Sequence, residues 1–227
     1  MNADVTSPRA LLIFGTGDVA ELAAYYFEYD FGRSVSAFIV DDEFAESDSW
    51  AGKPLVASSR IASEVDPTAC DMFVALAYTK MNRLRREKLD WAMAQGFGTT
   101  SYVSPRISIF PNVTVGTNCF ILEDNTIQPF SRIGDNVTLW SGNHIGHHSI
   151  IEDDVFIASQ VVVSGGVQVG RGSFIGVNAT IRDHVAIGEY SMIGAGVTIL
   201  GDTGPQSVYA AARTKPHTLK SFDLPGL

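Results

Sequence analysis

From Ile107 to Asp202 the chain divides without a gap into sixteen hexads: ISIFPN VTVGTN CFILED NTIQPF SRIGDN VTLWSG NHIGHH SIIEDD VFIASQ VVVSGG VQVGRG SFIGVN ATIRDH VAIGEY SMIGAG VTILGD. The third position is Ile, Val or Leu in every one. The first is mostly Val, Ser, Ala or another small residue, with Asn at residues 125 and 143, and glycine recurs at the fourth. Side chains alternate along a strand, so positions one and three point to the same side. They fill an interior while positions four to six turn a corner, where glycine is expected to supply backbone conformations that other residues resist. Tandem hexapeptides of this kind stack into a parallel β-helix.

The first hundred residues follow a different period. Three apolar runs, "ALLIF" (10–14), "SVSAFIV" (34–40) and "DMFVALAY" (71–78), read as buried parallel strands. Helices are expected over 17–30 and over 81–96, the second stopped by Gly96. "TTSYVS" is a candidate last strand, and "SPR" (104–106) a junction. Alternating strands and helices imply an α/β, Rossmann-like unit with right-handed crossovers. The expected organisation is therefore residues 1–104 as that unit, 105–202 as the β-helix and 203–227 as a C-terminal tail.

Composition narrows the function. The chain has 227 residues, 45% of them hydrophobic, and a formal net charge of −9. It can bury a core, and it carries no basic run of the kind that neutralises nucleic-acid phosphates. No apolar run approaches the roughly 20 residues needed to span a bilayer, and the start lacks a signal-peptide pattern. A cytoplasmic protein without membrane insertion is expected. Cys70 and Cys119 make no disulfide framework.

The tandem hexads resemble those of the hexapeptide-repeat acyltransferases. Together with "LLIFGTGD", "FIVDD" and "NHIGHHSIIEDDVFIA", they resemble the bacterial nucleotide-sugar acyltransferases, sialic acid O-acetyltransferase-like and PglD-type N-acetyltransferases, over nearly the whole chain. That resemblance implies a left-handed β-helix with three hexads per coil, a homotrimer, and transfer from acetyl-CoA or another acyl-CoA.

Three of the five histidines, His144, His147 and His148, fall in one hexad. The family's general base heads a pattern His-(Glu/Asp)-x-(Val/Ile)-(Ile/Val)-Gly-(Asp/Glu), which "HHSIIED" matches from His147. His147 is then the candidate base. His148 stands where the family often has an acid that orients the base, and Glu152 replaces the glycine. Asp153, Asp154, Glu123 or Asp124 are alternative orienting acids. The frame puts His144 on a face and His147 and His148 at a corner, with Gly165 one coil above His147. Its amide is the position matching the family's oxyanion donor. H-x-x-H-H could also supply zinc ligands, but no further Cys or His has a partner spacing, so no metal is expected.

The resemblance places coenzyme A against Phe156, Gly176, Val177, Gly194 and Ala195, with Arg171, Arg182, Arg213 and Lys215 as candidates for its phosphates. "GTGDVA" (15–20) formally satisfies a dinucleotide fingerprint, which alone is weak. The resemblance assigns it to the nucleotide of a sugar donor, with Gly15, Gly17, Asp18, Val19, Asp41, Asp42, Ala77 and Tyr78 as matching positions. Asn82 and Arg83 follow just beyond the third strand. The expected function is N-acylation of a nucleotide-linked amino sugar for surface glycan, such as lipopolysaccharide, biosynthesis. The alternatives are O-acetylation of a sugar hydroxyl, a non-catalytic β-helix scaffold, and, last, a nicotinamide-dependent enzyme.

Overall fold

The computed structural model describes residues 9–216 and 218–223. Its N-terminal part is a six-stranded sheet in the order β3-β4-β2-β1-β5-β6. The strands are β1 (Ala10–Phe14), β2 (Val35–Val40), β3 (Ser49–Trp50), β4 (Lys53–Ala57), β5 (Cys70–Val74) and β6 (Gly98–Thr99). All pairs are parallel except β3 with β4. Helices α1 (Asp18–Phe31), α2 (Ser58–Glu64) and α3 (Arg83–Ala94) complete the unit.

Three sequence expectations are adjusted here. The third run is a strand only to Val74; its last ladder bond is Ala75 N–H to Phe14 O at 2.9 Å, and residues 75–82 form the loop above the sheet. Strand β4 and helix α2 carry no clear period and were not anticipated. "TTSYVS" splits, because Tyr102–Val103 leaves the sheet and pairs with Phe120–Ile121 in the β-helix.

From Tyr102 onward each hexad contributes a two-residue strand at positions two and three, pairing with the residue eighteen further on, as in Thr126↔His144↔Val162. Three parallel sheets of seven, six and five such strands form the faces of a left-handed β-helix. The last strand, Val208–Tyr209, lies on Met192–Ile193. The stack therefore runs past the expected 105–202 limits at both ends. Positions one and three form one continuous core from Val113 to Ile199. The asparagines at position one are held inside by backbone partners: Asn125 Nδ2 donates to Leu122 O and Trp140 O at 2.8 and 2.9 Å.

The turning residue is the sixth position, not the fourth. Asn118, Asp124, Phe130, Asn136, His148, Asp154, Gln160, Asn178, His184 and Tyr190 all have φ between 52° and 67°. Asn, Asp and His tolerate this left-handed region better than most residues, which accounts for their recurrence there. Glycines at position four serve close approach instead: a Cβ on Gly146 would lie 2.5 Å from Gly165 N, and one on Gly176 2.6 Å from Ala195 N.

The α/β unit packs on one face of the prism. Phe27 and Phe73 share a core with Tyr102, Phe120 and Leu122, and Tyr26 Oη donates to Glu123 Oε2 at 2.7 Å. Buried Arg85 of α3 donates to Asn136 O at 2.6 Å and to Thr138 Oγ1. Arg86 Nε meets Asp154 Oδ1 at 2.7 Å.

Candidate active site

Corner geometry brings His147, His148 and Gly165 together. His147 Nδ1 and His148 Nδ1 are 3.1 Å apart, with the rings nearly perpendicular at 85°. The His147 ring lies against Gly165 from below: a Cβ on Gly165 would sit 2.6 Å from its Cε1 and 2.7 Å from its Nε2. Only glycine fits there while the ring holds this position. Gly166 N–H donates to His147 O at 2.8 Å, and His147 N–H to Gln128 Oε1 at 3.0 Å, fixing the backbone. The Gly165 N–H has no protein acceptor among the described residues. An exposed imidazole beside an unpaired amide can accept a proton and bind an anion on one spot.

Sequence reading missed three neighbours on this corner. Phe130 stacks under His148 at 4.7 Å between centroids. Gln128 holds the His147 amide. His184 covers Gly166 from above, 2.4 Å from where a Cβ would be. The eighteen-residue column Phe130, His148, Gly166, His184 was available in the sequence and would have found two of them. His144 is apart on the face, half-buried in its two-residue strand.

None of the alternative acids hydrogen-bonds His147 within the chain. Asp153 and Asp154 belong to the next corner. There Asp153 Oδ1 accepts from Asp135 N–H at 2.8 Å, and Asp154 bridges Arg86 and Arg171. Glu123 and Asp124 belong to the third corner, where Glu123 accepts from Tyr26 and Ser141. Among the described residues no group of three His, Cys, Asp or Glu is placed to hold a metal ion, and no helix is long and apolar enough to cross a membrane.

A cleft of about 240 Å³ lies at the carboxyl ends of β1 and β2, lined by Phe14, Gly15, Thr16, Gly17, Val40, Asp41, Phe44, Leu76 and Leu84. Ligands bind at such strand ends in open α/β sheets. Gly15 has φ 122°, and a Cβ there would meet Ala75 O at 2.9 Å. Gly17 has nothing within 4 Å of a Cβ, so its surface is open. Asp18 and Val19 open α1 behind it. Asp41 is paired with Lys88 at 2.8 Å, a cation beside the cleft that the sequence reading did not single out. Asp42 turns away and accepts from Ser59 N–H at 3.1 Å. Beyond Ala77, Tyr78 leaves the cleft and packs on Phe156 and Phe174 of the β-helix at 5.1 and 4.8 Å.

The candidate coenzyme positions divide. Val177 and Ala195 are exposed on one corner, over the buried Gly176 and the half-buried Gly194. Phe156 is only 5% exposed, covered by Tyr78 on the face that carries the α/β unit, so it offers no open surface. Arg171 is committed to Asp154 at 2.9 Å. Within one chain His147 stands at the corner opposite the face on which the α/β unit and its cleft are mounted. The structure thus places the His147 ring and the Gly165 amide at one corner, and the cleft, Val177 and Ala195 away from it.

Residues 130–165 and 166–201 match the sequence profile of the bacterial transferase hexapeptide, six repeats in each. No curated protein sequence matches the chain. Among solved structures, PerB from Caulobacter crescentus, in complex with CoA and GDP-perosamine, is similar at 24% identity with a TM-score of 0.79, over 88% of this chain and 92% of that one. The acetyltransferase domain of PglB from Neisseria gonorrhoeae is 23% identical, with a TM-score of 0.78 over 92% of this chain and 100% of that one. WeeI from Acinetobacter baumannii is 18% identical, with a TM-score of 0.77 over 88% of this chain and 95% of that one. The chain therefore has the fold of these two-part proteins: an α/β unit mounted on a left-handed hexapeptide β-helix.

Proposed function

We propose that this chain transfers an acyl group, acetyl in the first instance, from coenzyme A to the amine of a nucleotide-linked amino sugar. The observation that carries the reading is the His147 imidazole lying against Gly165, whose N–H is unpaired. The likeness to PerB, which holds CoA and GDP-perosamine, and to the PglB acetyltransferase domain, which holds acetyl coenzyme A, supports the choice of reactants.

The sugar amine attacks the thioester carbonyl carbon, a C–N bond forms, and the carbonyl π pair moves onto oxygen. The Gly165 N–H donates to that oxyanion, an interaction worth roughly 10²–10³-fold where single donors have been removed from other enzymes. His147 Nε2 takes the proton from the positively charged nitrogen, a step typically worth ~10²–10⁴-fold. Collapse re-forms the carbonyl, breaks the C–S bond and expels the thiolate, which His147 reprotonates. The amide and free coenzyme A thiol leave, with no covalent enzyme intermediate.

In this reading the cleft at Gly15, Gly17 and Asp41 takes the nucleotide, and Val177 and Ala195 back the pantetheine arm. Because His147 faces away from both, the base of one subunit would serve the cleft of the next, which fits a homotrimer. Residues 1–104 would then select the sugar nucleotide and 105–202 carry the chemistry, in the cytoplasm, on the way to a surface glycan.

The test is release of coenzyme A thiol from acetyl-CoA, with UDP-, dTDP- and GDP-linked amino sugars offered to wild type and His147→Ala. Turnover on one sugar, lost in the variant and accompanied by an N-acetylated product, is expected. Turnover that survives in His147→Ala overturns His147 as base; turnover only with hydroxyl acceptors overturns the amine.

A further inference from the structure

We propose that His148 is a positioning residue: it accepts the Nδ1–H of His147 as a neutral imidazole, and so keeps the base in service in more acidic conditions than a carboxylate partner would. The inference rests on the acyl-transfer reading above and deepens it.

The geometry is specific. Nδ1 to Nδ1 is 3.1 Å, so one ring must donate and the other accept. His147 can use Nε2 as a base only when its own proton sits on Nδ1, which makes His148 the acceptor at Nδ1 with its proton on Nε2. His148 is held for this role from two sides. Its backbone N–H donates to Pro129 O at 3.2 Å, and its ring stacks on Phe130 at 28°. The corner below presents Gln128, Pro129 and Phe130, and the corner above presents Gly165 and Gly166, none of which titrates. The next titratable groups on the two columns are Asp183, eighteen residues beyond Gly165 on the His147 column, and His184, which lies over Gly166. Neither ring hydrogen-bonds a carboxylate among the described residues.

Charge then decides the consequence. When the base takes a proton, its imidazolium donates to a neutral ring instead of an anion. A carboxylate in contact raises the affinity of its partner for a proton by roughly 1–3 pH units, toward the low end at an exposed site. A neutral imidazole gives no such lift, so the free base survives to lower pH. There is a cost in precision. A carboxylate can only accept, whereas His148 can also present Nδ1–H, which would put the His147 proton on Nε2 and idle it.

The experiment compares pH profiles of kcat/KM for wild type, His148→Glu, His148→Gln and His148→Ala. An NMR titration of the imidazole Cε1–H signals runs beside them, and His147→Ala serves as the reference. His148→Glu is expected to move the acid limb up by about one pH unit, with the His147 resonance moving the same way. His148→Gln, whose amide oxygen still accepts Nδ1–H, should keep the wild-type limb and most of kcat. His148→Ala should lose about tenfold or more in kcat with KM for acetyl-CoA unchanged, since groups that orient an imidazole are worth ~10–100-fold in metal sites. An unshifted limb in His148→Glu, or wild-type kcat in His148→Ala, overturns the dyad while His147 stands. Full activity in His147→Ala overturns the underlying reading instead.

Discussion

The His147 imidazole rests on the backbone of Gly165, so closely that a methyl group on Gly165 would lie 2.6 Å from Cε1. The atoms it would meet belong to the end of an exposed side chain that can swing away. Gly165→Ala should therefore leave folding almost intact and displace the His147 ring. The expected result is a fall of roughly 10²-fold in kcat, within the range ascribed to a positioned base, with a thermal midpoint close to wild type. A variant with wild-type kcat would separate Gly165 from the chemistry.

Gly146 offers the opposite case one corner residue earlier. Its missing Cβ would meet Gly165 N at 2.5 Å and Ser164 carbonyl carbon at 2.5 Å, both backbone. Two coils would have to separate to admit the methyl. Overpacking of this kind costs about 1–3 kcal/mol, so Gly146→Ala should lower both thermal midpoint and activity. Calorimetry of the pair Gly146→Ala and Gly165→Ala distinguishes a strained stack from a displaced ring.

Gly17 provides a third position, where the fold imposes nothing because no atom lies within 4 Å of a Cβ. Gly17→Ala should keep the wild-type melting curve. If the cleft takes the nucleotide, the same change should raise KM for the sugar nucleotide several-fold and leave KM for acetyl-CoA alone. An unchanged KM would move the nucleotide elsewhere.

Arg85 ties α3 to the β-helix. Burial pushes its guanidinium down to about 10, yet it still donates to Asn136 O and Thr138 Oγ1. Removing it leaves those two acceptors buried without a donor. Arg85→Ala should cost about 3 kcal/mol, read as a lower denaturant midpoint. Arg85→Met, which fills the space but donates nothing, should recover part of the packing loss only.

Tyr26 and Glu123 join the two parts at a second point, and their contact depends on pH. Burial and the Glu123 carboxylate push the Tyr26 hydroxyl up to about 12. Burial tends to raise Glu123, but hydrogen bonds from Tyr26 and Ser141 hold it below the usual carboxylate range. A depressed carboxylate contributes stability above its unfolded value, and that contribution is lost as pH falls through the folded one. The difference in thermal midpoint between wild type and Tyr26→Phe should thus be steady near neutrality. It should narrow below the ordinary carboxylate range of roughly pH 4. A gap independent of pH would show that only the ring packing matters.

Much of the architecture is legible in the sequence alone. An Ile, Val or Leu every six residues can be satisfied only by a coil that buries that position on every turn. The strand at 10–14 and the helix beginning at Asp18 were equally plain, because apolar run, glycine and amphipathic stretch succeed one another there. The β4 and α2 segment was not legible, since "KPLVASSRIASE" supports neither period over a useful length. The fourth-position glycines were misread as turn-makers: the sequence reports that a side chain is absent, not whether φ or space excludes it.

The repeat by itself determined the β-helix, its interior, and the corner on which His147 and His148 stand beside Gly165, because eighteen-residue stacking follows from counting. Tertiary structure alone decided the rest. It set His148, and none of the four carboxylates, beside His147: the two rings meet at 3.1 Å, whereas Asp153, Asp154 and Glu123 are engaged at other corners and Asp124 lies exposed on another. It buried Phe156 beneath Tyr78, and mounted the α/β unit on the face opposite His147. Such relations depend on which face a separately folded unit covers, and that is set by aromatic packing and buried hydrogen bonds between residues such as Phe27 and Phe120, or Arg85 and Asn136, far apart in the chain.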